Sequence, residues 1–277
     1  MRRITGNEFV NDLRTIDRCK YPKLMDKTDS DLYGGFVGCG GMFLLSKITE
    51  QMNLKPGNNV LDLGCGKGRS SLFLAETFGV TVYAVDFWND CNDLFDKAKS
   101  KNLADKIVPI QADITENILF ASGYFDAVFC MNSLFMFGDN CGFLKKLFSL
   151  IKPGGHFHLG SECFNKEPLW KDGAVPEEYS FDWPWKVWEE CYSKYHSPLW
   201  WKSLIESTGL IDVEYCDELD DGRIMFEDFV INYDNYIDVN LIDCESVIPR
   251  ERMASQIISG RATGLFPTMF VMNGKRI

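Results

Sequence analysis

Along this chain the spacing of apolar residues switches repeatedly between helical and strand periods, and the switches predict the elements. Residues 1 to about 55 show no two-residue alternation and read as helical, most clearly over 42–53, where Leu45, Ile48 and Met52 fall on one face. Glycines at 34, 35, 38, 40 and 41 precede that helix, and Pro56-Gly57 turns the chain into a strand over 60–63. A tight turn over 64–68 leads to a helix with Leu72, Ala75 and Phe78 inward and Gly79 as its stop. A β-branched run over 80–85, ending in Asp86, predicts the second strand; a polar helix follows, then strands over 107–110 and 125–131.

After Asp139, the residues Leu144, Leu147, Phe148 and Ile151 repeat at helical spacing, and Pro153-Gly154-Gly155 is expected to end that helix and open a strand over 156–161. A later helix has Ser197 as N-cap, Pro198 at its first position, Trp201, Leu204, Ile205 and Thr208 inward, and Gly209 as stop. Strands over 211–215 and 269–272 complete seven. Strands alternating with helices of this length predict an α/β fold, a mostly parallel sheet with helices on both faces. Two segments interrupt the alternation: 163–196 is rich in aromatics and 217–262 is largely helical. Both leave the carboxyl ends of strands, where open α/β sheets bind ligands. The expected organisation is a single domain with a core of 56–162, 197–216 and 263–277 and a helical, aromatic cap of 1–55, 163–196 and 217–262.

Composition narrows the partners more than the fold. With 277 residues, 45% of them hydrophobic and 14% aromatic, the chain can bury a large core and is not of the disordered class. The formal net charge is -11, and the basic pairs Lys145-Lys146 and Lys275-Arg276 are the longest. Nucleic acids and anionic membranes, which are held by clustered Lys and Arg, are therefore excluded as expected partners. Ten cysteines stand singly with no C-x-x-C pair, which reads as reduced thiols with no zinc site. The start MRRITGNEFVNDL has basic residues but no apolar segment behind them, and the longest run with no charge and few polar groups, over 127–137, is about half a membrane span. A soluble, cytoplasmic protein is expected.

The chemistry concentrates in VLDLGCGKGRS, residues 60–70. Glycines at a strand-to-helix turn let a ligand approach the backbone, with helix N–H groups facing it. The dinucleotide pattern G-x-G-x-x-G fails because Arg69 stands at its sixth position, and the phosphate-loop pattern fails because Lys67 is followed by Gly68. What remains is G-x-G-x-G behind an acidic residue, Asp62. Asp86 lies 22 residues past Gly64, where a carboxylate can accept both hydroxyls of a ribose. Phe87 and Trp88 are placed to flank an adenine, and Asp113, ending the third strand in QADI, suits an adenine amino group.

Taken in order, VLDLGCGKGRS, VYAVDFW, QADI, FDAVFCMNSLFMF and LIKPGGHFHL resemble the motif series of class I, Rossmann-like methyltransferases over about residues 56–161. The resemblance implies S-adenosyl-L-methionine as cofactor and a methyl acceptor. It implies that Asp62 with the glycine loop, Gly64, Cys65 and Gly66, holds the methionine end, Asp86 the ribose, Asp113 and Ile114 the adenine, and Met131 with Asn132 the methionine moiety. Tyr33 and the glycines ahead of the first long helix, together with the two inserts, are similar to a small-molecule subgroup that acts on phosphoethanolamine, sarcosine and related amines. Those phosphoethanolamine enzymes carry a His after the fourth strand, where this chain reads Ser133-Leu-Phe-Met136-Phe, so their substrate does not carry over.

Holding a nucleophile in line with the methyl–sulfur bond supplies most of the rate in such a transfer. Glu162, just past the fifth strand, and Tyr33 are the candidates for acid–base or substrate-orienting work. The acceptor is expected to be a small molecule, with nitrogen slightly preferred over oxygen or sulfur. His156 and His158 share one strand face and read as core histidines rather than metal ligands. The aromatic run over 179–188, including Trp185, is either the cap's own core or a wall for an organic cation. A nicotinamide oxidoreductase and a non-catalytic S-adenosylmethionine-binding scaffold remain as alternatives.

Overall fold

The computed structural model describes residues 13–35, 38–88, 90–168, 195–233, 257 and 264–277. The strands β1 (Asn59–Leu63), β2 (Thr81–Asp86), β3 (Ile107–Gln111), β4 (Phe125–Met131), β5 (Ile151–Phe164), β6 (Ile211–Glu218) and β7 (Pro267–Arg276) form one sheet of order β3-β2-β1-β4-β5-β7-β6. The pairs β1–β2, β1–β4, β2–β3 and β4–β5 are parallel. β7 is antiparallel: the N–H of Leu219 bonds the carbonyl of Met269 while the N–H of Ile277 bonds that of Leu210, so partner numbers run in opposite directions. The sheet is therefore mixed, with one reversed strand.

The α-helices are α1 (Asp29–Leu32), α2 (Gly41–Thr49), α3 (Arg69–Phe78), α4 (Cys91–Ser100), α5 (Cys141–Ser149), α6 (Pro198–Ser207) and α7 (Gly222–Ile231). Parallel strands buried on both faces need continuous apolar runs, and Val60, Leu61, Leu63, Ala127, Val128 and Phe129 are all fully buried. α3 stops where Gly79 takes a left-handed conformation, and the Ser197 hydroxyl caps α6 by accepting from the N–H of Trp200 at 3.3 Å.

Three local expectations shift. α5 ends at Ser149, not beyond Ile151, because the carbonyls of Ser149 and Leu150 accept from the N–H groups of Gly123 and Phe125 at the start of β4. Ile151 thus already pairs with Phe125, and the Pro153-Gly154-Gly155 turn becomes an irregularity inside β5, where the register jumps from Phe125↔Ile151 to Ala127↔His156. The buried face of α3 is Ser70, Ser71, Leu72, Leu74 and Ala75, with Phe78 only half-buried. Its polar members are explained by the site below.

The chain divides into two compact units, a sheet unit (Leu45–Ser161, Trp201–Asp217, Val271–Ile277) and an insert unit (Met1–Leu44, Glu162–Trp200, Glu218–Phe270). Within the insert unit the segment after residue 13 is strapped to α7. The backbone N–H and Nε of Arg14 donate to Glu227 Oε2 at 2.9 and 2.8 Å, a second guanidinium nitrogen donates to Oε1 at 2.8 Å, and the Ile16 N–H donates to Asp228 Oδ1 at 3.1 Å. Tyr21 packs edge-on against Phe43 with ring centroids 5.0 Å apart. Among the described residues no helix is long and apolar enough to cross a membrane.

Candidate active site

The glycine turn after β1 lies in the sheet unit, and its three glycines serve three different ends. All have positive φ: +69° at Gly64, +53° at Gly66 and +78° at Gly68. A Cβ on Gly64 would stand 2.5 Å from the Ser133 side chain, and one on Gly68 would stand 2.2 Å from Leu94 Cδ1. Those two positions are glycine because protein fills the space. A Cβ on Gly66 would meet nothing within 4 Å. Only there does the loop face open space, which is what a site for a ligand pressed against the backbone requires. A small cleft lined by Cys65, Gly66, Asp86, Asp90, Pro109 and Ile110 opens beside it.

Asp62 is buried in β1, and its Oδ2 accepts the hydroxyls of Ser70 and Ser71, each at 2.6 Å. That bond pair is why the first turn of α3 buries two serines. Burial pushes the Asp62 carboxyl up to about 6, the serine hydroxyls pull it down, and the charge of Asp86 raises it further. Its Oδ1 has no hydrogen-bond partner among the described residues, which leaves an acceptor for a cationic amino group.

Asp86 ends β2 with its oxygens turned to two backbone donors. Oδ2 accepts from the Gly66 N–H at 2.8 Å and Oδ1 from the Trp88 N–H at 2.9 Å. An ionised carboxylate has about four acceptor sites, and those used here fix the glycine turn and the Trp88 backbone. Phe87 and Trp88 are about half exposed, at 55% and 53%, with rings 5.6 Å apart and nearly perpendicular, as apolar walls awaiting a flat ligand would be. Asp113 uses Oδ1 to accept from the N–H and hydroxyl of Thr115, at 2.9 and 2.6 Å, and these bonds hold its carboxyl below the usual range. Ile114 is buried.

Met131 ends β4 at 9% exposure, and Asn132 follows with φ +53° and its N–H on the Gly160 carbonyl at 2.9 Å. Next comes Ser133, whose hydroxyl donates to the Leu63 carbonyl at 2.7 Å and lies 3.1 Å from the Cys130 sulfur. Ser133 clamps the ends of β1 and β4 together, a role missed in the sequence; the signal available was a small residue two positions past a strand that neighbours the glycine turn. Cys65 is buried beside the loop, and burial raises its thiol well above the ordinary range. The structure thus brings Asp62, Gly64, Cys65, Gly66 and Asp86 into one corner of the sheet unit.

Glu162 and Tyr33 belong to the insert unit. Glu162 lies inside β5 rather than past it, is 6% exposed, and accepts from the Cys39 N–H at 3.3 Å. Tyr33 is buried, and burial together with the nearby charge of Asp228 pushes its phenol up to about 12. Asp228, which no sequence pattern singles out, lies beside it.

His156 and His158 stack 5.8 Å apart on one face of β5. His158 is a core residue whose burial lowers it to about 3, whereas His156 is half exposed, 3.9 Å from Glu214. Among the described residues no group of three His, Cys, Asp or Glu side chains is arranged to hold a metal. The aromatic run over 179–188, with Trp185, lies outside the described residues.

Residues 60–155 match the methyltransferase domain family. Over that stretch, which holds β1 to β4 and the glycine turn, the chain is similar to methyltransferase domains. Phosphoethanolamine N-methyltransferase 1 of Arabidopsis thaliana is 30% identical over 129 residues, 47% of this chain and 26% of that one, so the match spans about a quarter of the relative's length. A chloroplastic tocopherol O-methyltransferase of the same plant is 26% identical over 179 residues, 61% of this chain and 49% of the relative. Phosphoethanolamine N-methyltransferase 2 of Haemonchus contortus, solved with S-adenosyl-L-methionine, superposes with a TM-score of 0.65 at 17% identity over 94% of this chain and 60% of its own. The strand order β3-β2-β1-β4-β5-β7-β6 is that of the class I methyltransferase fold. The loop fits S-adenosylmethionine on its own geometry: an open Gly66 face, an Asp62 oxygen with no hydrogen-bond partner among the described residues, and the Asp86 carboxylate beside them.

Proposed function

We propose that the protein transfers a methyl group from S-adenosyl-L-methionine to a nitrogen nucleophile on a small molecule. The observation that carries this reading is the Gly66 face, open where Gly64 and Gly68 are filled, beside two carboxylates suited to an amino group and a ribose. S-adenosylmethionine supplies the electrophilic methyl and leaves as the thioether. Asp62 Oδ1 takes the ammonium of the methionine end, and the Gly64–Gly66 backbone lies along it. Asp86 accepts the ribose hydroxyls, Phe87 walls the adenine, and Asp113 and Ile114 meet its edge. Met131 and Asn132 lie along the methionine chain.

Glu162 and Tyr33 are proposed for the acceptor. A carboxylate accepts a proton or holds an ammonium more readily than a phenol raised to about 12 gives one up, so Glu162 takes the acid–base role and Tyr33 orients. The net charge of -11 favours small neutral or cationic acceptors over polyanions. The test is a panel of amines, phenols, carboxylates and thiols with methyl-labelled cofactor, read by product mass. Label in amines supports the reading, label only in phenols or thiols overturns the nitrogen preference, and tight cofactor binding with no labelled product in any class favours the scaffold alternative.

A further inference from the structure

Asp62 is a buried acid whose charge is supported by hydroxyls rather than by a cation. Its hydrogen bonds among the described residues both come from the first turn of α3, where Ser70 and Ser71 each donate to Oδ2 at 2.6 Å. The titratable groups that face it from the elements around it are Asp86 at the end of β2, Cys65 in the glycine turn and Cys130 on β4. Burial, and then the Asp62 charge among other groups, raises both thiols, Cys130 to about 12, so they stay neutral. Asp86 adds a second negative charge. None of these groups helps Asp62 to ionise; the two hydroxyls do.

Packing alone does not call for serines at these positions. Ser71 is fully buried and Ser70 is 7% exposed. Alanine is the better helix former and carries no hydroxyl to satisfy. Consecutive helical side chains diverge by about 100°, so two that meet on one oxygen bracket it from either side and fix the carboxylate's rotation. With Oδ2 held in this way, Oδ1 is the oxygen left without a hydrogen-bond partner among the described residues. A carboxyl buried without such donors takes up a proton instead of remaining charged.

We propose that Ser70 and Ser71 are positioning residues for the cofactor: by holding Asp62 Oδ2 they keep the carboxylate charged and leave Oδ1 for the ammonium of S-adenosylmethionine. This rests on the proposed seat of that ammonium at Asp62, and it deepens that reading by naming the groups that make the seat work near neutral pH. The margin is narrow, because Asp62 stands at about 6 even with both hydroxyls in place. Each hydrogen bond donated to a carboxylate lowers it by about one pH unit. Removing both would carry the protonated form into the neutral range.

The test measures S-adenosylhomocysteine binding to the full chain by calorimetry from pH 5.5 to 8, comparing the double variant Ser70→Ala/Ser71→Ala with wild type at each pH so that titration of the ligand cancels. The variant should bind about 10- to 100-fold more weakly at pH 5.5 and at most about twofold more weakly at pH 8. The single variants should show about half that shift on the pH axis, and they carry the test if the double variant does not fold. A readout without ligand accompanies this. Relative to Asp62→Asn, the urea stability of wild type should level off above about pH 6, and that of the double variant should go on falling to about pH 7–8, because its folded state holds the Asp62 proton longer. The inference is overturned by a loss of affinity equal at both ends of the pH range, which a purely structural role would give. It is overturned equally by unaltered affinity throughout, or by a ligand-free profile that levels off with wild type. If Asp62→Asn binds as tightly as wild type at every pH, the placement of the ammonium on Asp62 fails instead.

Discussion

The two units bury carboxylates in opposite ways. In the sheet unit, the hydroxyls of Ser70 and Ser71 reach Asp62 and the N–H groups of Gly66 and Trp88 reach Asp86, all from within 20 residues of the acid. In the insert unit, Glu162 is met by Cys39 from 123 residues away and Asp228 by Ile16 from 212 residues away. A local motif can settle its charges as it folds. A carboxylate whose partners come from distant segments is satisfied only once the tertiary fold has closed. Glu227 follows the same pattern, with both oxygens met by Arg14 from 213 residues away.

The largest expected effect separates the glycines. Gly66→Val should abolish cofactor binding while circular dichroism remains that of a folded chain, whereas Gly68→Val should destabilise the fold, since its Cβ lies 2.2 Å from Leu94 Cδ1. Equal loss of folding in both variants would erase the distinction between a ligand-facing and a packing glycine. Next, Asp86→Ala should weaken S-adenosylmethionine about 30- to 1,000-fold by calorimetry. It should also lower stability by about 1–3 kcal/mol, because the Gly66 and Trp88 N–H groups lose their acceptor. An unaltered dissociation constant would remove Asp86 from the site.

A third prediction uses the Asp62 carboxyl, raised from 3.8 to about 6. Between these values the folded chain holds a proton that the unfolded chain has released, so stability falls as pH rises through that window, by about 3 kcal/mol in all. Asp62→Asn should remove this component, seen as the difference between the two urea-denaturation profiles from pH 4 to 7. Cofactor affinity should run the other way, falling about tenfold per unit below pH 6, because a protonated Asp62 cannot pair with an ammonium. Identical profiles for wild type and Asp62→Asn would mean the carboxylate is not strained by burial. The smallest effect belongs to the insert unit: Arg14→Ala should cost about 1–3 kcal/mol, discounted because the Arg14 side chain is 51% exposed. Cofactor affinity should stay within about twofold, and a larger change would show that the strap reports to the cofactor site.

Much of the sheet unit was legible in advance for the same reason that its charges are settled locally. The strands over 60–63, 80–86, 107–110 and 125–131 were visible because parallel strands buried on both faces need uninterrupted apolar runs. The glycine turn was visible because only glycine takes those φ values cheaply. The end of α5 was not, since Leu144, Leu147, Phe148 and Ile151 keep helical spacing through the boundary, and pairing with β4 captures Ile151 instead. Nor was the length of β5, because Pro153-Gly154-Gly155 looks like a stop and is absorbed as an irregularity.

The sequence by itself determined the α/β alternation, the strand-end carboxylates Asp62 and Asp86, and the cofactor family, because each is a short-range pattern with a fixed period or spacing. The tertiary structure decided which of three similar glycines faces open space, that β7 runs against its neighbours, that Ser133 ties β1 to β4, and that Asp228 takes the N–H of Ile16. Those features depend on contacts between residues 70 to 212 positions apart. No local pattern encodes such pairs, because they are fixed only when the packing of the whole core brings distant segments within hydrogen-bond reach.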